Sequence, residues 1–306
     1  MKKARALLVD DPSIGNEEAI ARLGSLDDIG EVRVLVAPGD VPSLDIETDV
    51  DIKELFMKEQ HRRADDLVDA LRRHGVEASA AVRIGVRPVE IIREVNDFGA
   101  DFVVKVSQGP HDRESTARST DAQLIRQCPC PVWITRPREH ATYRRVFAAV
   151  DPQDEALGRD AGLDSRILDW AIQICRADRA ELTVVHVWDM ADEGLLLGWG
   201  HKPSEEVERL VAQTEASQMR RVRELLDGHD LSGLEHDIQL VKGQPANVLP
   251  ATLYRGRADL LVMGTVARTG IAGFFIGNTA ERVIPQLGCA IFAIKPEGFE
   301  SPVSPR

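Results

Sequence analysis

This 306-residue chain predicts an α/β fold of two tandem doubly wound domains, each with a parallel sheet flanked by helices. Three observations predict it. Short apolar runs alternate with amphipathic stretches of helical period. The same order of runs occurs twice. The two occurrences also share local punctuation. Gly85-Val86-Arg87-Pro88 answers Gly243-Gln244-Pro245, and Ala100-Asp101-Phe102-Val103-Val104 answers Ala258-Asp259-Leu260-Leu261-Val262. Cys130-Pro131-Val132-Trp133-Ile134 answers Cys289-Ala290-Ile291-Phe292-Ala293, and Thr120-Asp121 answers Thr279-Ala280. Strand–helix alternation implies a parallel sheet covered on both faces. Right-handed crossovers then place a ligand crevice beyond the carboxyl ends of the strands.

In the first copy, Ala6-Leu7-Leu8-Val9 is a buried strand ended by Asp10-Asp11-Pro12, and 14–26 is a helix. A second strand over 32–37 closes at Pro38-Gly39, and an Asp- and Pro-rich loop runs to about Thr48. The stretch 51–74 is a long helix with Leu55, Leu67, Val68 and Leu71 inward, stopped by Gly75. A strand over 77–84 follows, then a helix opened by Pro88 and running to Val95. A strand over 101–104, a helix over 120–127 and a strand over 132–135 complete the copy. The second copy repeats this with strands at 146–150, 182–188 and 237–241 and helices at 166–175 and 205–226. Each repeat is expected to form its own sheet. The domains are set at 1–137 and 145–296, and the Pro/Ser-rich tail 297–306 is expected to fray.

Composition narrows the function classes. With 38 basic against 50 acidic residues the net charge is −12, which argues against a nucleic-acid footprint and a basic membrane surface. No apolar run approaches membrane-spanning length, and Asp10-Asp11 cuts short the run after Lys2-Lys3, so the chain reads as cytoplasmic rather than secreted. The four cysteines form no CxxC pair. Cys128-Pro129-Cys130-Pro131 is the close pair; it reads as reduced thiols at the mouth of a buried strand, with a metal or redox role as the alternative. His186 reads as a satisfied core histidine, and the paired arginines Arg62-Arg63 and Arg72-Arg73 as solvated helix faces.

The most informative stretch is 260–282. An apolar run ends at Met263-Gly264, a glycine-rich loop follows, and Gly277-Asn278-Thr279 opens a helix. Glycines leave amides open to a ligand, and a helix N-terminus favours phosphate. Asn278 is the expected N-cap, with Glu281 completing a capping box, and Arg268 adds a cation. Pattern alone fits equally a strand-to-helix turn with no ligand. No Walker A sequence occurs.

With Gly264-Thr265-Val266-Ala267-Arg268-Thr269-Gly270, Gly277-Asn278-Thr279-Ala280-Glu281, Thr120-Asp121, Cys128-Pro129 and Ile294-Lys295-Pro296 on two tandem copies, the chain resembles the universal stress protein family. The resemblance implies five parallel strands per domain, with the domains packed like a dimer of single-domain members. ATP-binding members carry Gly, two residues, Gly, nine residues, then Gly-Ser/Thr. Gly264 and Gly277 fit; Ala267 replaces the middle glycine and Asn278 the Ser. By resemblance, Ala149, Val150 and Asp151 border the adenosine, Val187 offers backbone groups to adenine, and Met263 and Gly264 line the ribose side. Arg268, Gly277, Asn278 and Thr279 hold the phosphates, and Gly243 keeps its wall close. A left-handed backbone at Ala267 would cost about 1–2 kcal/mol, roughly five- to thirty-fold in affinity, so binding is expected to be weakened rather than absent. The expected ligand is therefore ATP, with or without a divalent cation near Asp189, Asp192 and Glu193, in a regulatory rather than enzymatic role. Slow ATP hydrolysis, or an interaction module using the apolar 194–199 loop or holding a lipid-like ligand, are the alternatives. A homodimer through the tandem domains is a further expectation. In the first copy Lys105 stands at the Met263 position and Val106 at the Gly264 position, so that copy is expected not to bind nucleotide.

Overall fold

The computed structural model describes residues 3–39, 52–107, 119–137, 142–152, 161–190, 204–265 and 277–304. The first repeat runs β1 (Ala4–Val9), α1 (Glu17–Gly24), β2 (Ile29–Gly39), α2 (Ile52–Arg73), β3 (Ala78–Ile84), α3 (Arg87–Phe98), β4 (Phe102–Val106), α4 (Thr120–Gln127) and β5 (Val132–Thr135). The second runs β6 (Arg145–Ala149), α5 (Ala161–Asp178), β7 (Glu181–Trp188), α6 (Ser204–Asp227), β8 (His236–Lys242), α7 (Pro245–Arg255), β9 (Leu260–Gly264), α8 (Asn278–Val283) and β10 (Ala290–Ile294). Within each repeat the strand pairings are parallel.

The two sheets are not separate. They join into one ten-stranded sheet of order β3-β2-β1-β4-β5-β10-β9-β6-β7-β8. The join is antiparallel, with Ile291 opposite Ile134, Phe292 opposite Trp133 and Ala293 opposite Val132. In an isolated repeat β5 or β10 would be a bare edge with unpaired amides and carbonyls. Each edge satisfies the other.

Strand residues alternate between faces, so the sheet divides the interior into two apolar layers. Leu8, Val34, Phe102, Trp133, Ala148 and Phe292 lie in one layer. Leu7, Leu35, Val103, Ile134, Phe147 and Ile291 lie in the other. Both layers cross the join. There Trp133 and Phe292 stack with ring centroids 4.8 Å apart and an interplanar angle of 15°, and Phe102 and Trp170 pack edge-on nearby. Beside the rings, Arg22 of α1 donates to both carboxylate oxygens of Asp178 in α5, at 2.7 and 2.6 Å. Both side chains are fully buried.

Three further expectations change. Leu55 is 60% exposed rather than inward, because α2 buries its face only further along, at Ala64, Val68 and Leu71. Arg63 is not a solvated arginine; it reaches Asp10. Part of the tail packs: Val303 lies against the second apolar layer, and Lys295 sits over the Phe299 ring at 4.5 Å.

Candidate functional site

The strand order reverses beside β1 and β4 in the first repeat and beside β6 and β9 in the second. A doubly wound sheet opens a crevice at such a reversal, outside the carboxyl ends of the strands. Registers align the two crevices residue by residue. Val9 pairs with Lys105 and with Leu35, as Ala149 pairs with Met263 and with Val185. The equivalent of Asp151 is therefore Asp11. Asp10, the first carboxylate after β1 and the one that local pattern alone matches to Asp151, corresponds instead to Val150.

In the second repeat, β6 ends at Ala149, and the Val150 amide donates to Val185 O at 3.1 Å. The Asp151 amide donates to Asp164 Oδ1 at 3.1 Å. The Asp151 carboxylate lies 3.8 Å from His186 Nδ1 and is 31% exposed. His186 is the satisfied core histidine expected, with Nδ1 3.0 Å from Val150 O and Nε2 3.2 Å from Gln218 Oε1. Val187, near the end of β7, faces Val241 in register. Gly243 donates to Trp188 O at 2.8 Å with φ +135°. A Cβ there would lie 2.8 Å from Val248 Cγ1, so α7 comes too close for a side chain. Met263 is buried and Gly264 half-buried. A Cβ on Gly264 would lie 2.9 Å from Leu163 Cδ2, so helix packing accounts for that glycine without a ligand.

At the far side, Gly277 donates to Thr265 O at 2.8 Å, tying the start of α8 to the end of β9. The cap of α8 is Gly277, not Asn278. Glu281 does not reach back; its carboxylate accepts from Arg126 of the first repeat at 2.8 Å. Asn278 and Thr279 occupy the first turn, with Thr279 half-buried. Ala267 and Arg268 lie outside the described residues, as do Asp192, Glu193 and the 194–199 loop. Asp189 accepts from the Gln244 side-chain amide. Among the described residues no group of three His, Cys, Asp or Glu side chains could hold a metal ion.

The first repeat fills the same place with charge. Asp10 accepts from Arg63 Nε at 2.6 Å and from Asn16 Nδ2 at 2.7 Å. Asp11 accepts from Ser13 Oγ at 2.6 Å and from Lys105 Nζ at 3.1 Å, and Arg87 lies 3.7 Å away. Lys105 also pairs with Asp121 at 3.1 Å. Burial pushes the Asp11 carboxyl up, but the Ser13 hydroxyl, Lys105 and Arg87 together hold it below the ordinary range. Lys105 and Asp121 take the places of Met263 and Ala280, which belong to one apolar layer in the second repeat. The consequence is visible at the rim. Val9, Asp11, Ala37 and Val106 are all buried, whereas their equivalents Ala149, Asp151, Val187 and Gly264 are all half-buried.

Sequence reasoning found Lys105 by its position but missed Arg63, because its partner lies far back along the chain. The Asp121 substitution for an apolar Ala280 was the available signal.

These features define a tandem doubly wound α/β protein with two equivalent switch-point crevices, one laced with its own ion pairs. The profile of the Universal stress protein family matches residues 6–136 and 142–295, and the chain belongs to that family. It is similar to Universal stress protein E of Escherichia coli (strain K12), 29% identical over 222 residues, covering 71% of this chain and 68% of that protein. The counterpart from Photorhabdus laumondii is 30% identical over 224 residues, covering 71% and 68%. Among solved structures, a protein of unknown function from Pseudomonas aeruginosa PAO1 shares the fold at a TM-score of 0.70 and 23% identity, covering 97% of this chain and 95% of that one. Among the described residues no helix is long and apolar enough to cross a membrane.

Proposed function

We propose that this universal stress protein binds ATP in the crevice between β6 and β9, as a regulatory ligand, and that the equivalent crevice of the first repeat takes no nucleotide. The observation that carries the reading is the contrast at the rim. Four equivalent positions are half-buried in the second repeat and buried in the first, where Lys105 bridges Asp11 and Asp121. Asp151 stands at the open rim with His186 beside it, and a carboxylate there can accept from ribose or adenine donors. Ala149, Val150, Val187, Met263 and Gly264 would border the adenosine, and Arg268, Gly277, Asn278 and Thr279 would face the phosphates. The chain's own part is to bind and orient the nucleotide; no described group stands as a base for hydrolysis.

Calorimetric titration of the full chain with ATP tests the proposal. The expected result is one site per chain, lost in Asp151→Ala and retained in Asp11→Asn. Two sites per chain, or no heat into the millimolar range, would overturn it.

A further inference from the structure

The α4–β5 turn carries chemistry that nucleotide binding does not use. Cys128 caps α4, its amide donating to Leu124 O, and Pro129 leads directly to Cys130 ahead of β5. The two sulfurs lie 3.6 Å apart, within hydrogen-bond contact. Cys128 is fully buried and Cys130 is 8% exposed. Lys295 follows β10, and antiparallel pairing brings the end of β10 beside the start of β5. Lys295 is 4% exposed, and its ammonium donates to Ile125 O in the last turn of α4. The Lys295 charge acts electrostatically on both thiols and favours their ionised form. Burial pushes the Cys128 thiol up, but the hydrogen bonds from the Cys130 thiol and Cys130 backbone, with Lys295, bring it below the ordinary range. The hydrogen bond to Cys128 and burial push Cys130 well up. The contact between the two sulfurs lets either thiol donate to the other. Two thiols without a third ligand do not make a closed metal site, and none completes one among the described residues.

We propose that Cys128 and Cys130 form a redox-active dithiol, oxidised to an intramolecular disulfide by a small hydroperoxide, with Lys295 as the positioning charge. The Cys128 thiolate attacks a peroxide oxygen; the S–O bond forms, the O–O bond breaks, and the departing alkoxide or hydroxide leaves protonated. Cys130 then attacks the Cys128 sulfenic acid; the S–S bond forms, the S–O bond breaks, and water leaves. The dithiol gives up two electrons and two protons, and the peroxide becomes an alcohol or water plus a second water. The sulfurs must close from 3.6 Å to about 2.05 Å. The turn lies one residue ahead of Val132, which pairs with Ala293, so oxidation falls where the two repeats join.

The test treats the reduced full chain with hydrogen peroxide, alkylates the remaining thiols, and maps tryptic peptides by mass. No Lys or Arg separates the two cysteines, so one peptide carries both. That peptide is expected to become two hydrogens lighter, unalkylated, and to recover on treatment with dithiothreitol. Cys130→Ser is expected to leave a Cys128 sulfenic acid that dimedone captures. Lys295→Met is expected to slow the reaction at neutral pH, because the positive charge that favours the Cys128 thiolate is removed. Circular dichroism checks that both variants fold; if either does not, the native chain decides alone. The proposal is overturned if the peptide keeps two alkylatable thiols, whether or not Cys289 is oxidised. It is equally overturned if the native chain reacts no faster than the chain unfolded in urea.

Discussion

Removing the Arg22 guanidinium tests how the two repeats are held together. In Arg22→Met, Asp178 stays buried with the Tyr143 amide as its remaining described donor, at 2.7 Å. The substitution also removes the guanidinium from the Tyr143 ring, 4.0 Å away. Breaking a fully buried pair costs about 3–5 kcal/mol, because the surviving charge is stranded. The double variant Arg22→Met/Asp178→Leu strands no charge; it leaves the Tyr143 amide without that acceptor, which costs about 1–3 kcal/mol. The double variant should therefore be more stable than the single one. Urea unfolding of both chains, followed by tryptophan fluorescence and by far-ultraviolet circular dichroism, measures this. Trp133 and Trp170 lie at the join and report its loss directly. Coincident transitions would show that the repeats unfold as one unit. A loss below about 1 kcal/mol in the single variant, or a double variant less stable than the single, refutes the reasoning.

Lys105→Met leaves Asp11 and Asp121 facing each other without their shared cation, and should cost about 3 kcal/mol in urea unfolding, with no ATP site gained by calorimetry. The depressed Asp11 carboxyl stabilises the native chain above its unfolded pKa of about 4 and loses that contribution as pH falls through its folded value; an acid titration of stability should show this limb blunted in Lys105→Met. Lys295 is lowered by burial to about 8. Its folded pKa lies below the unfolded one, so native stability should rise relative to Lys295→Met between about pH 8 and 10.5, by up to roughly 3 kcal/mol, in denaturant curves of the reduced proteins. Gly243→Ala, at φ +135° with Val248 Cγ1 2.8 Å from the new Cβ, should cost about 1–3 kcal/mol by thermal unfolding. Ala267→Gly restores the glycine of the family pattern and should tighten ATP binding about five- to thirty-fold by calorimetry.

Periodicity and internal repetition made both copies and their alternation of strands and helices legible. Strand ends such as Met263-Gly264 announce themselves, because an apolar run stops at a glycine. The join was not legible. An edge strand's amides and carbonyls carry no mark of their partner, so Val132–Thr135 could equally have ended a separate sheet. Register was off by one residue: the sequence pattern put Asp10 at the Asp151 position, and the pairing of Val9 with Lys105 assigns Asp11 instead. The cap of α8 was misassigned because Asn278 is the better capping residue by propensity, while the tie from Gly277 to Thr265 O fixes the helix one residue earlier. Arg63 read as solvated because neighbours on its own helix suggested nothing else; its partner is Asp10, fifty-three residues away.

The two copies share one backbone plan, so their difference must lie in a few side chains. Lys105 alone would be a poor substitution for a buried methionine, since an isolated ammonium in an apolar layer loses its hydration. Asp121 in place of alanine has the same defect with the opposite sign. Together, 3.1 Å apart and with Asp11 at 3.1 Å from the same nitrogen, each removes the other's cost. Such a pair is stable as a pair and costly to dismantle singly. Arg63 and Arg87 extend the lock to Asp10, whose carboxylate Arg63 binds and whose carbonyl accepts from Arg87 at 2.5 Å. A nucleotide entering this crevice would have to separate ions already satisfied, whereas in the second repeat the Lys105 and Asp121 positions hold the apolar Met263 and Ala280.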